Sequence, residues 1–165
     1  MPDAGYENDF FQWTQDQARR LREAGGAATN MRLDWENVAE EIESLGRSDR
    51  REIASRLDTI LQHLLKLTYS TAALPRAGWI NTVMRERDAV RGLLDESPSL
   101  RRHVPELARQ KMPLARSAAA IDIEAYGEDA TAGLIRLDPA TDLVERVLDD
   151  DFIPHPPASP TSASA

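Results

Sequence analysis

The chain places an arginine where an apolar side chain is expected. From Trp79 to Leu94 the residues Ile80, Val83, Met84, Val90 and Leu94 follow helical spacing, and Arg87 falls inside their stripe. A guanidinium keeps its proton under all ordinary conditions, so burying it unpaired costs several kcal/mol and a partner is required. Glu41 is the expected carboxylate, beside the Val38/Ile42/Leu45 stripe of an upstream helix. Arg56 and His63, seven residues apart, share one flank of a third helix, with Lys66 one turn beyond His63. Two chemistries follow from these types and spacings. A Glu41–Arg87 ion pair would fix helix register and do nothing else. Alternatively, Arg56, Lys66 and Arg87 would hold an anion such as a nucleotide phosphate, with His63 or Glu41 as the base of a hydrolytic step.

The elements that must position these groups are helices. Residues 9–24 carry Phe10, Trp13, Ala18 and Leu21 on one face and end at Gly25-Gly26 after a basic turn. Asp34 is a good N-cap for a second helix, and Gly46 is expected to stop it. Ser48 or Asp49 would then cap a third helix, where Ile53, Leu57, Ile60, Leu61, Leu64 and Leu67 form a long apolar stripe. A break is expected at Pro75 to Gly78, followed by a fourth helix over about Ile80 to Glu96. Ser97-Pro98 reads as the start of a fifth, which Pro105 and Pro113 should kink or divide. The alanines between Ala115 and Ala120 allow close helix contact. A short final helix is expected over residues 140–149, then a Pro/Ser/Ala tail over 155–165 with nothing to pack. The fold class is all-α, a bundle of about five to six helices forming one domain over residues 6–154.

Composition narrows the function. The 165 residues contain no cysteine, which removes disulfides, thiolate metal sites and thiol catalysis. No run of about 18 apolar residues is present, and the first residues lack the pattern of a secretory signal, so a cytoplasmic chain without membrane contact is expected. The net charge of −8 is unevenly distributed. Residues 1–45 carry 4 basic and 10 acidic side chains, residues 46–116 carry 14 and 8, and residues 117–165 carry 2 and 10. The basic middle segment suits a small anion or an acidic partner, whereas the acidic total argues against general nucleic-acid binding. Metal is weakly supported: a di-metal helical site repeats Glu-x-x-His, but Ile60 stands three residues before His63. Glycine-rich phosphate loops, HExxH and GxSxG are absent, and no cofactor is implied. Trp13, Trp35 and Trp79 read as core anchors.

These residues resemble a known family. Tyr6-Glu7-Asn8-Asp9-Phe10-Phe11-x-Trp13, Leu33-Asp34-x-Glu36-Asn37-x-Ala39-Glu40-Glu41-Ile42-Glu43-Ser44-Leu45-Gly46, Ser55-Arg56-Leu57 and His63-Leu64-Leu65-Lys66 are similar to the bacterial family called domain of unknown function 29. So are Trp79 with Arg87, Ser97-Pro98-Ser99-Leu100 and the closing Asp150-Asp151-Phe152-Ile153-Pro154. The resemblance implies a small, helical, cytoplasmic protein and brings no established activity with it. Its motif residues include every member of the expected polar cluster: Asp34, Glu41, Arg56, His63, Lys66, Trp79 and Arg87. The first expectation is therefore a non-enzymatic module acting through an unknown protein partner or through self-association. The anion pocket is the alternative.

Overall fold

The structure, a computed structural model, describes residues 5–27, 33–137 and 140–157. Among these the regular elements are all helical: α1 (Phe10–Ala27), α2 (Trp35–Tyr69), α3 (Arg76–Glu96), a 3-10 helix (Pro98–His103), α4 (Val104–Glu124), α5 (Asp129–Leu137) and α6 (Thr141–Glu145). They fall into two compact units, drawn from Met1–Ile53 with Arg91–Val104 and from Ala54–Val90 with Pro105–Ala165. The expected tail lies, from residue 158 onward, outside the described residues.

In the first unit the start of α1 is built from two segments some ninety residues apart in the sequence. Asp9 Oδ1 accepts the Gln12 backbone N–H at 2.9 Å, an ordinary cap. The same carboxylate accepts the Ser99 N–H at 2.7 Å and the Ser99 hydroxyl at 2.9 Å. Ser97 was expected to cap its own helix. Its buried hydroxyl instead accepts the Phe11 N–H at 3.1 Å and donates to Asp49 at 3.4 Å. Burial, with Glu96 and Glu52 nearby, pushes the Asp49 carboxyl up against that hydrogen bond.

Gly46 does not stop a helix. The two helices expected on either side of it are one helix of 35 residues, α2. Gly46 is buried, and a Cβ there would collide with Thr14 Oγ1 and meet the Phe11 ring at 3.2 Å. The glycine therefore lets α1 lie directly against the α2 backbone, which offsets its cost of about 1 kcal/mol in a helix interior. Sequence punctuation suggested a stop because a missing Cβ serves close packing as well as termination. With no break, Ser48 and Asp49 have no helix to cap. Asp34 does cap α2, accepting the Asn37 N–H at 3.2 Å.

The second unit is built on the far half of α2. Leu57, Ile60, Leu61, Leu64 and Leu67 are fully buried, as their spacing required. Ala115, Ala119 and Ala120 of α4 are buried with no exposure, so their small side chains do bring helices close. Pro113 sits within α4, which continues through it. Gly127, with a positive φ of 77°, turns the chain after α4, and the Glu128 N–H returns to the Ile123 carbonyl at 3.3 Å. α5 follows, a helix that the sequence reading left out, and then α6 with only five residues of the expected 140–149.

Candidate functional site

The expected cluster separates into distinct settings. Asp34 and Glu41 belong to the first unit, where both are exposed. Asp34 works as the α2 cap, its second oxygen accepting the Asn37 side-chain amide at 2.6 Å. Glu41 points to water, at a position that the 100° spacing left at the stripe's edge. Arg56, His63, Lys66, Trp79 and Arg87 belong to the second unit.

Arg87 is 1% exposed, so the sequence correctly marked it as buried. The expected pairing with Glu41 is corrected, since the guanidinium turns to backbone oxygens. Nε donates to the Val147 carbonyl at 2.9 Å, Nη1 to Phe152 at 3.0 Å and Nη2 to Arg146 at 3.3 Å. The physical reason lies in the chain that follows α6. Val147 and Phe152 stand beyond the helix, where no regular ladder supplies donors, and Arg146 shares its carbonyl with the Asp149 N–H. A planar fork with five N–H groups suits several carbonyls brought together by an irregular segment. Arg76 acts in the same way nearby, donating to the Leu67 carbonyl at 2.9 Å and to the Pro154 carbonyl. Arg146 then lies 3.9 Å from the Phe152 ring centroid and pairs with Asp149 at 2.8 Å. That hydrogen bond, helped by the Asp151 N–H and the Arg87 charge, holds the Asp149 carboxyl below its ordinary value.

Lys66 and Trp79 meet. The ammonium is 4% exposed, lies 5.3 Å from the Trp79 ring centroid and donates to Asp122 Oδ2 at 2.8 Å. Trp79 in turn meets the Tyr126 ring edge-on at 6.0 Å. A lysine at the edge of an apolar face ordinarily snorkels to water; here an acidic partner on α4 allows the charge itself to be buried. His63 is half-buried, and its Nδ1 donates to the Thr59 carbonyl at 2.9 Å, because a carbonyl can only accept. That assignment leaves Nε2 as an acceptor. Burial pushes the His63 pKa down, with the Lys66 and Arg85 charges in the same direction and the Thr59 carbonyl and Asp122 opposing. Arg56 is engaged by Glu86 at 2.8 Å, a carboxylate shared with Arg85.

Asp122, Glu86 and Arg76 were absent from the sequence reading. Each was legible only as one more charge on a helix, and nothing local marked it as a partner. The carbonyls that hold Arg87 carry no residue signature at all, although the closing Asp-Asp-Phe-Ile-Pro run did flag the segment that supplies them.

The second unit also holds two open clefts. One of about 500 Å³ is lined by Thr68, Tyr69, Ala140, Thr141, Asp142, Leu143, Phe152 and Pro154. Another of about 260 Å³ is lined by Arg109, Met112, Pro113, Arg116, Thr141, Val144 and Glu145. Neither is lined by Arg56, His63, Lys66 or Arg87. Among the described residues no group of three or more His, Asp or Glu side chains is placed to hold a metal ion. No helix among them is long and apolar enough to cross a membrane.

Comparison with known proteins gives the same fold without a function. The family profile described as domain of unknown function DUF29 matches residues 6–153. The crystal structure of an α-helical protein of unknown function from Rhodospirillum rubrum is similar, with a TM-score of 0.72 and 29% sequence identity over 90% of this chain and 91% of that one. No curated protein matches the chain.

Proposed function

Because the chain belongs to the family described as domain of unknown function DUF29, whose description assigns no activity, we propose from its own geometry that it is a non-enzymatic helical module acting through protein–protein contacts. One observation carries this reading: the cations that an anion site would need are engaged inside the protein. Arg87 serves backbone carbonyls, Lys66 serves Asp122 under the Trp79 ring, and Arg56 serves Glu86. To bind a phosphate they would have to surrender these partners, two of them from buried positions. The polar residues then act as internal struts, and function lies on surfaces outside them.

The test is thermal unfolding of the full chain against inorganic phosphate, nucleotides and divalent metals, with Arg56→Ala alongside. A ligand at 100 times its dissociation constant adds about 2.7 kcal/mol, a readily visible shift. The expected result is no shift with any of them. A phosphate or nucleotide shift that Arg56→Ala abolishes would overturn the module in favour of an anion pocket on Arg56, His63, Lys66 and Arg87.

A further inference from the structure

α4 and α5 each carry a second apolar ridge on the side away from their buried face. On α4 the positions 114, 118, 121 and, just past its end, 125 recur at helical spacing as Leu, Ala, Ile and Ala. Leu114 is 56% exposed and Ile121 62%. On α5, Ala132 and Ile135 are buried, while positions 130, 134 and 137 form an outward ridge of Ala, Leu and Leu. Glu124 and Arg136 join the two helices at 2.6 Å. A surface helix ordinarily turns polar side chains to water. Two linked helices with apolar outward ridges mark an interaction face.

We infer that this face is a self-association surface, on which a second copy of the chain seats its α4 antiparallel to the first. Charge placement selects this occupant. At 100° per residue, Lys111 and Asp122 fall on the same flank of the ridge, one before Leu114 and one after Ile121. A two-fold axis between positions 117 and 118 sets Leu114 of one copy against Ile121 of the other. The small Ser117 and Ala118 stand at the crossing and let the helices approach. The same axis brings Lys111 alongside Asp122 of the second copy, and the contact occurs twice. A parallel pairing would instead leave Lys111 and Asp122 of the two copies on opposite flanks and about 16 Å apart along the helices. Asp122 takes Lys66 on Oδ2 and is 44% exposed, which leaves its other side open to a second cation, and Lys111 is half-buried with its charge near Asp58. On the other flank, Glu106 and Glu124 are already paired with Arg109 and Arg136. The ridge is therefore self-complementary.

This inference rests on the interaction-module reading, and its experiment fails separately. Sedimentation velocity of the full chain at low ionic strength, from micromolar to millimolar concentration, should show a reversible monomer–dimer equilibrium. Leu114→Glu and Ile121→Glu each place two charges in the apolar seam and should raise the dissociation constant about a hundredfold, with helical circular dichroism unchanged. Lys111→Glu should weaken the dimer about tenfold at low salt and abolish its salt dependence. A chain that stays monomeric throughout, or a dimer indifferent to both glutamates, overturns the inference. A dimer that persists beside Arg56-dependent nucleotide stabilisation would keep this surface and remove the proposed function. A monomer with no ligand response would do the reverse.

Discussion

Arg22 and Arg87 carry the same guanidinium in opposite surroundings. Arg22, in the first unit, is 35% exposed and reaches Glu36 at 3.0 Å and Glu43 at 2.9 Å, with Glu40 at 3.7 Å. Arg47 joins the same carboxylates. Arg87, in the second unit, is shielded from water and gives hydrogen bonds to the Val147, Phe152 and Arg146 carbonyls. By formal charge the first looks the stronger arrangement. In water, however, an ion pair gains little, because solvent and salt screen it and long side chains must be held still. A buried carbonyl deprived of its donor has no water to replace it and costs about 1–3 kcal/mol. The buried guanidinium is therefore expected to contribute more to stability than the exposed one.

The largest expected effect tests that contrast directly. Arg87→Ala takes the guanidinium donor from the Val147 and Phe152 carbonyls and leaves a cavity where the side chain lay, and should cost about 3 kcal/mol or more, read as a lower urea midpoint. Limited proteolysis should cut first in the segment from Arg146 to Pro154. Adding Glu41→Leu should not rescue the variant, since Glu41 is exposed and the Arg87 acceptors are backbone oxygens. Rescue would break the comparison.

An intermediate effect is expected from pH. Unfolded, His63 takes up its proton near the ordinary value of 6.5, while in the folded chain burial pushes that value lower. As pH falls through 6.5 the unfolded chain binds the proton first. The stability present above pH 6.5 should therefore decline on acidification toward the folded value. His63→Asn should flatten that slope, and the NMR titration of the His63 ring should report a midpoint below 6.5. A midpoint above 6.5 would mean that the Thr59 carbonyl and Asp122, not burial, govern the ring. His103 is lowered for the same first reason and must be followed by its own resonance.

Arg22→Ala is expected to have the smallest effect. Its loss should be detectable at low ionic strength and vanish in molar salt, measured as the urea midpoint in each buffer. A loss as large as that of Arg87→Ala, undiminished by salt, would place the two arginines in one class.

Periodicity carried the fold class. Leu57 to Leu67 repeat at helical spacing, so any structure that buries them buries a helix. Arg87 was legible as buried for the same reason: a charge inside an apolar stripe stands out against its neighbours. Asp34 was legible as a cap because capping involves atoms within three residues. Gly46 was misread as a stop because its role is set by Thr14 and Phe11, thirty residues away. α5 was missed because nine residues give too few repeats of a pattern, and both of its faces are apolar.

The sequence by itself determined the helical class, the buried stripe from Leu57 to Leu67 and the fact that a guanidinium must find acceptors away from water. These depend on spacing along one chain and on the cost of desolvating charge, neither of which needs a third dimension. Only the tertiary structure decided who the acceptors are. The backbone oxygens of Arg146, Val147 and Phe152 are identical in kind to every other carbonyl in the chain. They became the partners of Arg87 because the chain leaves regular structure after α6 and folds these oxygens against α3. Residue identity cannot encode that condition.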